Sequence, residues 1–223
     1  MLIYIFSRSF GLEVLESLSI NISVYAIFYL AFAWSISQDF EFKSAEYFDT
    51  KNYDDLSKLI SRSLFLSTIT GLVVFVITFF FVPLLLGLYE TDQITLHNID
   101  VMMKFFSIAG LVYYPIWVYS RFFCSINYES PNSFSAVFSI IIFTLLLWWF
   151  TSIDFIDVGV GLAFTISALF NLGYKMVVFH FFNPVKELNK SFILKNALEG
   201  LFEFFKYSVK LGFMLFIAFL SFE

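Results

Sequence analysis

Long apolar runs alternate with short charged ones along this chain. Six runs stand out, over residues 18–36, 64–88, 105–123, 134–150, 158–182 and 209–223. A helix that crosses a bilayer needs about 20 predominantly apolar residues, so the pattern predicts transmembrane helices. Helix-breaking residues fall between the runs: Gly87 with Glu90, Thr91 and Asp92 closes the second, Pro131 with Asn132 opens the fourth, and Asn183 with Pro184 closes the fifth. Residues 151–157 alone separate the fourth run from the fifth, which predicts a tight antiparallel hairpin. The last run follows a mixed stretch over 197–207. The expected fold class is all-α, a polytopic transmembrane helix bundle of about six spans. The expected organisation is a bundle over 1–182, a cytoplasmic amphipathic linker over 183–207, and the truncated start of another transmembrane helix over 208–223.

Composition sharpens this picture. Of the 223 residues, 60% are hydrophobic, 22% aromatic and 14% charged, with 34 Phe and a mean hydropathy of +0.84. Water-soluble domains run at about 45–50% apolar and about 25% charged, so this chain has too little charge to cover itself in water. A net charge of −5 with no basic stripe excludes a nucleic-acid partner. Cys124 is the sole cysteine, which excludes a disulfide framework.

The basic residues set the orientation, because cytoplasmic loops retain Lys and Arg. Lys43, Lys51, Lys58 and Arg62 follow the first run, Arg121 sits at the end of the third, and Lys186, Lys190, Lys195 and Lys206 follow the fifth. The opposite side holds Arg8 and Lys104. The first, third and fifth loops are therefore expected in the cytoplasm, with both chain ends on the far side. Met1 to Phe6 is apolar but too short to span, and lacks the basic region and cleavage site of a signal peptide. It reads as the tail of a helix begun earlier, and the last run stops at Glu223 without a closing loop. Both ends suggest a piece of something larger.

Ionisable groups inside a bilayer are costly and mark function by default. Glu13 and Glu16 sit at the mouth of the first run, where the helix dipole favours acids. Lys175 and Lys210 are placed to snorkel to the cytoplasmic surface. Glu223 lies thirteen residues beyond Lys210, about 20 Å along a helix. It is either a proton or cation site or a solvent-exposed end. His97 and His180 have no partner at metal-ligand spacing, so no metal site and no cofactor are expected. Hydrolase, zinc-protease and P-loop motifs are missing, and an enzyme is not expected. Pro83, Pro115, Gly71, Gly110, Gly159, Gly161 and Gly173 interrupt the apolar runs, which favours a bundle with moving parts and close helix approaches.

Several segments, in order, resemble the multidrug and toxic compound extrusion (MATE) transporters. Ala197-Leu-Glu-Gly-Leu-Phe-Glu-Phe-Phe-Lys-Tyr-Ser208, with Met214-Leu215 and Phe222-Glu223, is similar to the family's run into its seventh helix. Val158-Gly-Val-Gly-Leu-Ala-Phe-Thr-Ile-Ser167 resembles the start of its sixth. Phe122 to Ser130 stands at the turn between its fourth and fifth helices. Ala45 to Tyr53 with Arg62-Ser63 resembles the link between its second and third, and Leu12-Glu13-Val14-Leu15 the approach to its second. The resemblance implies one lobe of a two-lobed transporter, from the end of helix one to partway through helix seven. It also implies an antiporter that exports organic cations or other amphipathic compounds in exchange for protons or sodium ions. On that reading Glu223 is the coupling acid, and Tyr113, Tyr114 and Trp117 are candidates for the substrate cleft, where rings hold a cation by its charge. The same rings suit an interfacial aromatic belt.

This chain departs from the family in ways that bear on activity. Ala218 stands where the family's first helix-seven acid would be, Lys210 replaces a proline, and Glu46 replaces a glutamine. The alternative is a truncated or degenerate, non-transporting membrane protein that needs a partner or is inert. Expected partners are the lipid bilayer, a small amphipathic or cationic solute, and the missing second lobe or a full-length homologue. The plasma membrane and the vacuolar membrane are both compatible locations.

Overall fold

The computed structural model describes residues 2–88, 93–153, 155–183, 185–189, 194–198, 201–202, 205–206, 210, 214 and 217. Among them there is no strand, and the fold is an all-α helical bundle. Helix α1 (Leu2–Tyr25), a π-helical segment (Ala26–Leu30) and α2 (Ala31–Asp49) follow one another as one rod. A second rod is built the same way from α3 (Tyr53–Val76), a π segment (Ile77–Phe81) and α4 (Val82–Leu86). Then come α5 (Gln93–Ser125), α6 (Ser130–Ser152), α7 (Ile156–Phe181) and the short α8 (Leu194–Leu198). Four stretches are long and apolar enough to cross a membrane: Tyr53–Leu84, Leu96–Ser125, Ser130–Ser152 and Val158–Phe181. A shorter apolar stretch covers Val14–Tyr29. The run expected over 18–36 thus lies inside a helix that starts earlier and ends later, because the polar residues after Ser37 keep helical hydrogen bonding beyond the apolar segment.

Side chains and caps set the turns. At the end of α2, Lys51 takes a left-handed conformation (φ 57), the Asn52 amide donates to Tyr47 O (2.8 Å) and the Lys51 amide to Phe48 O (3.1 Å). The end of α5 repeats that wrap: Asn127 has φ 54, the Tyr128 amide donates to Phe123 O and the Asn127 amide to Cys124 O. This hydrogen-bond pair satisfies the last carbonyls of a helix and reverses the chain in a few residues. Asn52 then caps α3 by accepting from the Asp55 amide at 3.3 Å, and Pro131 opens α6, where a missing N–H costs nothing.

Helix α5 is the central post. It packs against α7 on one side and against α1, α2 and α3 on the other, while α6 lies mainly on α7. Buried serines recur at these seams, including Ser37, Ser44, Ser63, Ser107 and Ser135, and small polar residues let backbones approach and bond to helical carbonyls. On the outside, α6 presents Phe134, Ile140, Leu145 and Trp148. That face suits acyl chains and would be a liability in water.

The two π segments meet inside the bundle. The Tyr29 hydroxyl is hydrogen-bonded to the Thr78 hydroxyl at 2.7 Å and donates to the Ser107 carbonyl at 3.2 Å, linking three rods. The Tyr114 hydroxyl donates to the Phe28 carbonyl at 3.1 Å, within the first π segment, where the wider turn loosens the carbonyl ladder. Replacing Tyr114 with Phe keeps the ring and removes this bond. We expect Tyr114→Phe to lower stability by about 0.5–1 kcal/mol in a detergent unfolding titration. A fully neutral change would mean that the π turn holds its shape without the phenol.

One expectation is corrected here. Lys175 does not snorkel: it is 4% exposed and its ammonium donates to the Ser120 hydroxyl at 2.6 Å. Lys175 projects from α7 toward α5, so its stem runs along the helix seam instead of the surface.

Candidate functional site

Helices α1 and α6 flank an opening whose floor is formed by α5 and α7. The resulting cleft has a volume of about 530 Å³ and is lined by Leu18, Ile22, Tyr25, Phe106, Tyr113, Ser139, Phe143, Phe164 and Ser167 among others. That volume falls within the range of small-molecule sites. None of its lining residues carries a formal charge.

Five rings build the wall. Phe106 and Phe164 stack at 4.7 Å, Tyr113 stacks on Phe164 at 5.7 Å, and Tyr25 meets Phe164 and Tyr113 edge-on at 5.4 and 5.8 Å. Phe143 closes the set, edge-on to Phe164 at 6.4 Å. Neighbouring rings hold each other in offset and edge-to-face geometries, so the wall is preorganised. Two hydroxyls in this wall, Tyr25 Oη and Ser139 Oγ, are buried and have no hydrogen-bond partner among the described residues. Unpaired buried polar atoms are uncommon and are explained by a bound ligand or ordered solvent. An amphipathic guest would therefore meet aromatic faces, with the two hydroxyls set just behind them.

The sequence candidates separate. Tyr113 lines the cleft. Tyr114, one residue on, points away from it into the core, 1% exposed and edge-on to Tyr29. Trp117 lies one turn further toward the basic end and joins a different cluster: Trp34 is 6.0 Å from it, and the Arg121 guanidinium lies 5.8 Å from the Trp34 ring and 5.5 Å from the Trp117 ring. Arg121 also pairs with Glu41 at 2.8 Å, tying α5 to α2. Glu223 and Ala218 lie outside the described residues. Among the described residues no group of three His, Cys, Asp or Glu side chains could hold a metal ion.

Tyr25, Phe106, Ser139 and Phe164 are additions to the candidates read from sequence. A signal for Tyr25 is present, since Ser17, Asn21, Tyr25 and Tyr29 recur every four residues and are all buried. On an α-helix a four-residue repeat drifts by about 40° per step, and the wider π turn at Ala26–Leu30 takes back part of that drift. Phe164 carries no such mark, being one of 34 Phe in the chain.

The remaining polar cluster lies at the basic end. Asn132 of α6 donates to Ser120 O at 2.9 Å and to Cys124 Sγ at 3.3 Å, next to the Lys175 contact. Three helices thus meet through side-chain bonds at one level. A scan of family models matches the chain to MatE over residues 1–150. No curated protein matches it.

Proposed function

Because the chain belongs to the MatE family of membrane transporters, not enzymes, we propose that it is an antiporter that exports amphipathic organic cations or similar xenobiotics in exchange for protons or sodium ions. The observation that carries this reading is the aromatic cleft with two hydroxyls unpartnered among the described residues. An uncharged wall of rings suits a cation of low charge density, which sheds its water cheaply and is attracted by the ring faces. The rings of Tyr25, Tyr113 and Phe164 are the contacts, with Tyr25 Oη and Ser139 Oγ set just behind them. Tyr114 acts through the π turn it braces, and Trp117 through Arg121. Glu223 is the proposed coupling acid. The membrane is the plasma membrane or the vacuolar membrane.

The test is flux in reconstituted vesicles loaded with a fluorescent lipophilic cation, under an imposed proton or sodium gradient. Gradient-dependent movement is expected, with Tyr113→Leu raising the half-saturating concentration about fivefold to tenfold. Movement unaffected by either gradient would remove the antiport reading. Binding without movement would favour the second reading, a non-transporting relative that needs a partner, for which the substitution of Ala218 for a family acid already speaks.

A further inference from the structure

The ammonium of Lys175 is buried and, among the described residues, pairs with no carboxylate. Its one hydrogen-bond partner among the described residues is Ser120 Oγ, although an ammonium has three donors to place. Among the described residues the titratable group that acts on it is Cys124 of α5, and Arg121 of α5, Glu41 of α2 and Glu129 of the α5–α6 turn act in turn on Cys124. Helix α6 contributes none. Glu41 is committed to Arg121 and Glu129 is exposed on its turn, so among the described residues no carboxylate pairs with Lys175. An unpaired ionisable group inside a membrane helix is retained for function far more often than for stability.

A polar line joins this group to the cleft. Ser167, Asn171 and Lys175 follow each other at four-residue intervals on α7, and Ser167 lines the cleft. Residues so spaced are neighbours on one helix face. Facing helix α6 buries Ser135 and Ser139 at its seam, and Asn132 reaches Ser120 below them. Along this line Ser139 Oγ, Asn171 Oδ1 and Asn132 Oδ1 are buried with no partner among the described residues. Ser139 and Asn171 are each 8% exposed. From Ser167 to Lys175 the rise along the helix is about 12 Å.

We propose that Lys175 is a coupling residue whose proton and a cation in the cleft oppose each other across this polar line. The inference rests on the cation-export reading above and adds a residue to it. Two unit charges about 12 Å apart, in a medium of the effective polarity found inside proteins, alter each other's binding by about tenfold. By linkage the effect is mutual: a cation entering the cleft favours loss of a proton from the Lys175 ammonium to water, leaving a neutral amine, and reprotonation weakens the hold on the cation. That is an exchange of one positive charge for another. Ser120 and Asn132 hold the lysine in line and are positioning residues.

The experiment uses the full chain in lipid nanodiscs and tetraphenylphosphonium, a cation that does not titrate, with affinity measured from about pH 6 to about pH 10. For the wild type the affinity should rise about tenfold from the acid to the alkaline limit. Lys175→Met should hold the alkaline value throughout and Lys175→Arg the acid value. A readout on the wild type alone guards against misfolded variants: at the midpoint, binding in weak buffer should release about half a proton per cation. Binding with no proton release, or with the wild-type pH response preserved in a folded Lys175→Met, overturns the inference and leaves the cation reading intact. Failure of the probe to bind at any pH overturns both.

Discussion

Gly110→Ala is expected to cost about 3 kcal/mol of stability, a large effect for one methyl group. A Cβ at Gly110 would overlap the Tyr29 ring along its Cδ1, Cε1 and Cζ edge. A free phenyl ring would swing aside. Tyr29 cannot, because its hydroxyl is held by Thr78 and Ser107, and its ring lies against Tyr25 at 5.0 Å and Tyr114 at 5.9 Å. Either α5 moves away from the first rod or the ring gives up both hydrogen bonds. Thermal unfolding in a mild detergent should show the loss. The double variant with Tyr29→Leu should recover part of it, since a smaller side chain frees the space that the methyl needs. Equal stability of Gly110→Ala and wild type would show that the rods are not in van der Waals contact here. The same argument applies at Gly161, where an added Cβ would meet Phe105 Cβ at 2.7 Å, a stiff atom close to the backbone of α5.

The second large effect is expected at Glu41. Glu41→Gln should destabilise by about 2 kcal/mol, and high salt should change this little. The glutamine can still accept one bond from Arg121, but the guanidinium then keeps its charge without a counter-charge between two indoles. Its side chain is 20% exposed and that of Glu41 29%, so solvent compensates only in part. The Arg121 Nε is also buried and has no partner among the described residues, which leaves the ion pair as the main compensation for the guanidinium. Replacing both partners, as Glu41→Leu with Arg121→Met, should restore most of the stability, because an apolar pair of similar size needs no pairing. A Glu41→Gln protein as stable as wild type would mean that the Trp34 and Trp117 faces alone satisfy the cation.

How much of this was legible beforehand differs between elements. The apolar runs over 134–150 and 158–182 lie within or almost coincide with α6 and α7, because a bilayer forces each crossing segment to satisfy its backbone internally and a helix does so from local sequence. Gly159 and Gly161 were readable as close-approach positions, and they sit against Phe150 and Phe105. The long rod over 2–49 was not readable as one helix. Its second half is mixed in polarity, and what holds it in the bundle is packing of α2 on α3 and α5. Tyr113 and Tyr114 looked equivalent in the chain. Successive helical residues point about 100° apart, and only the positions of the neighbouring rods decide which direction is cleft and which is core. Lys175 was misjudged for the same reason. Its distance from the helix end allowed snorkelling, and the seam with Ser120 on α5 offered a nearer partner.

Taken alone, the sequence determined that this is a helical membrane protein, which ends of its helices carry positive charge, and which transporter family it resembles. Those properties follow from local quantities: the length of apolar runs, the count of Lys and Arg, and the order of short motifs. Tertiary structure alone decided that five rings from four helices converge on one cleft, that two π segments meet through Tyr29 and Thr78, and that Lys175 is buried beneath that cleft. Contacts of this kind depend on helix rotation and crossing, which are set by the packing of all the helices together and leave no local mark in any one of them.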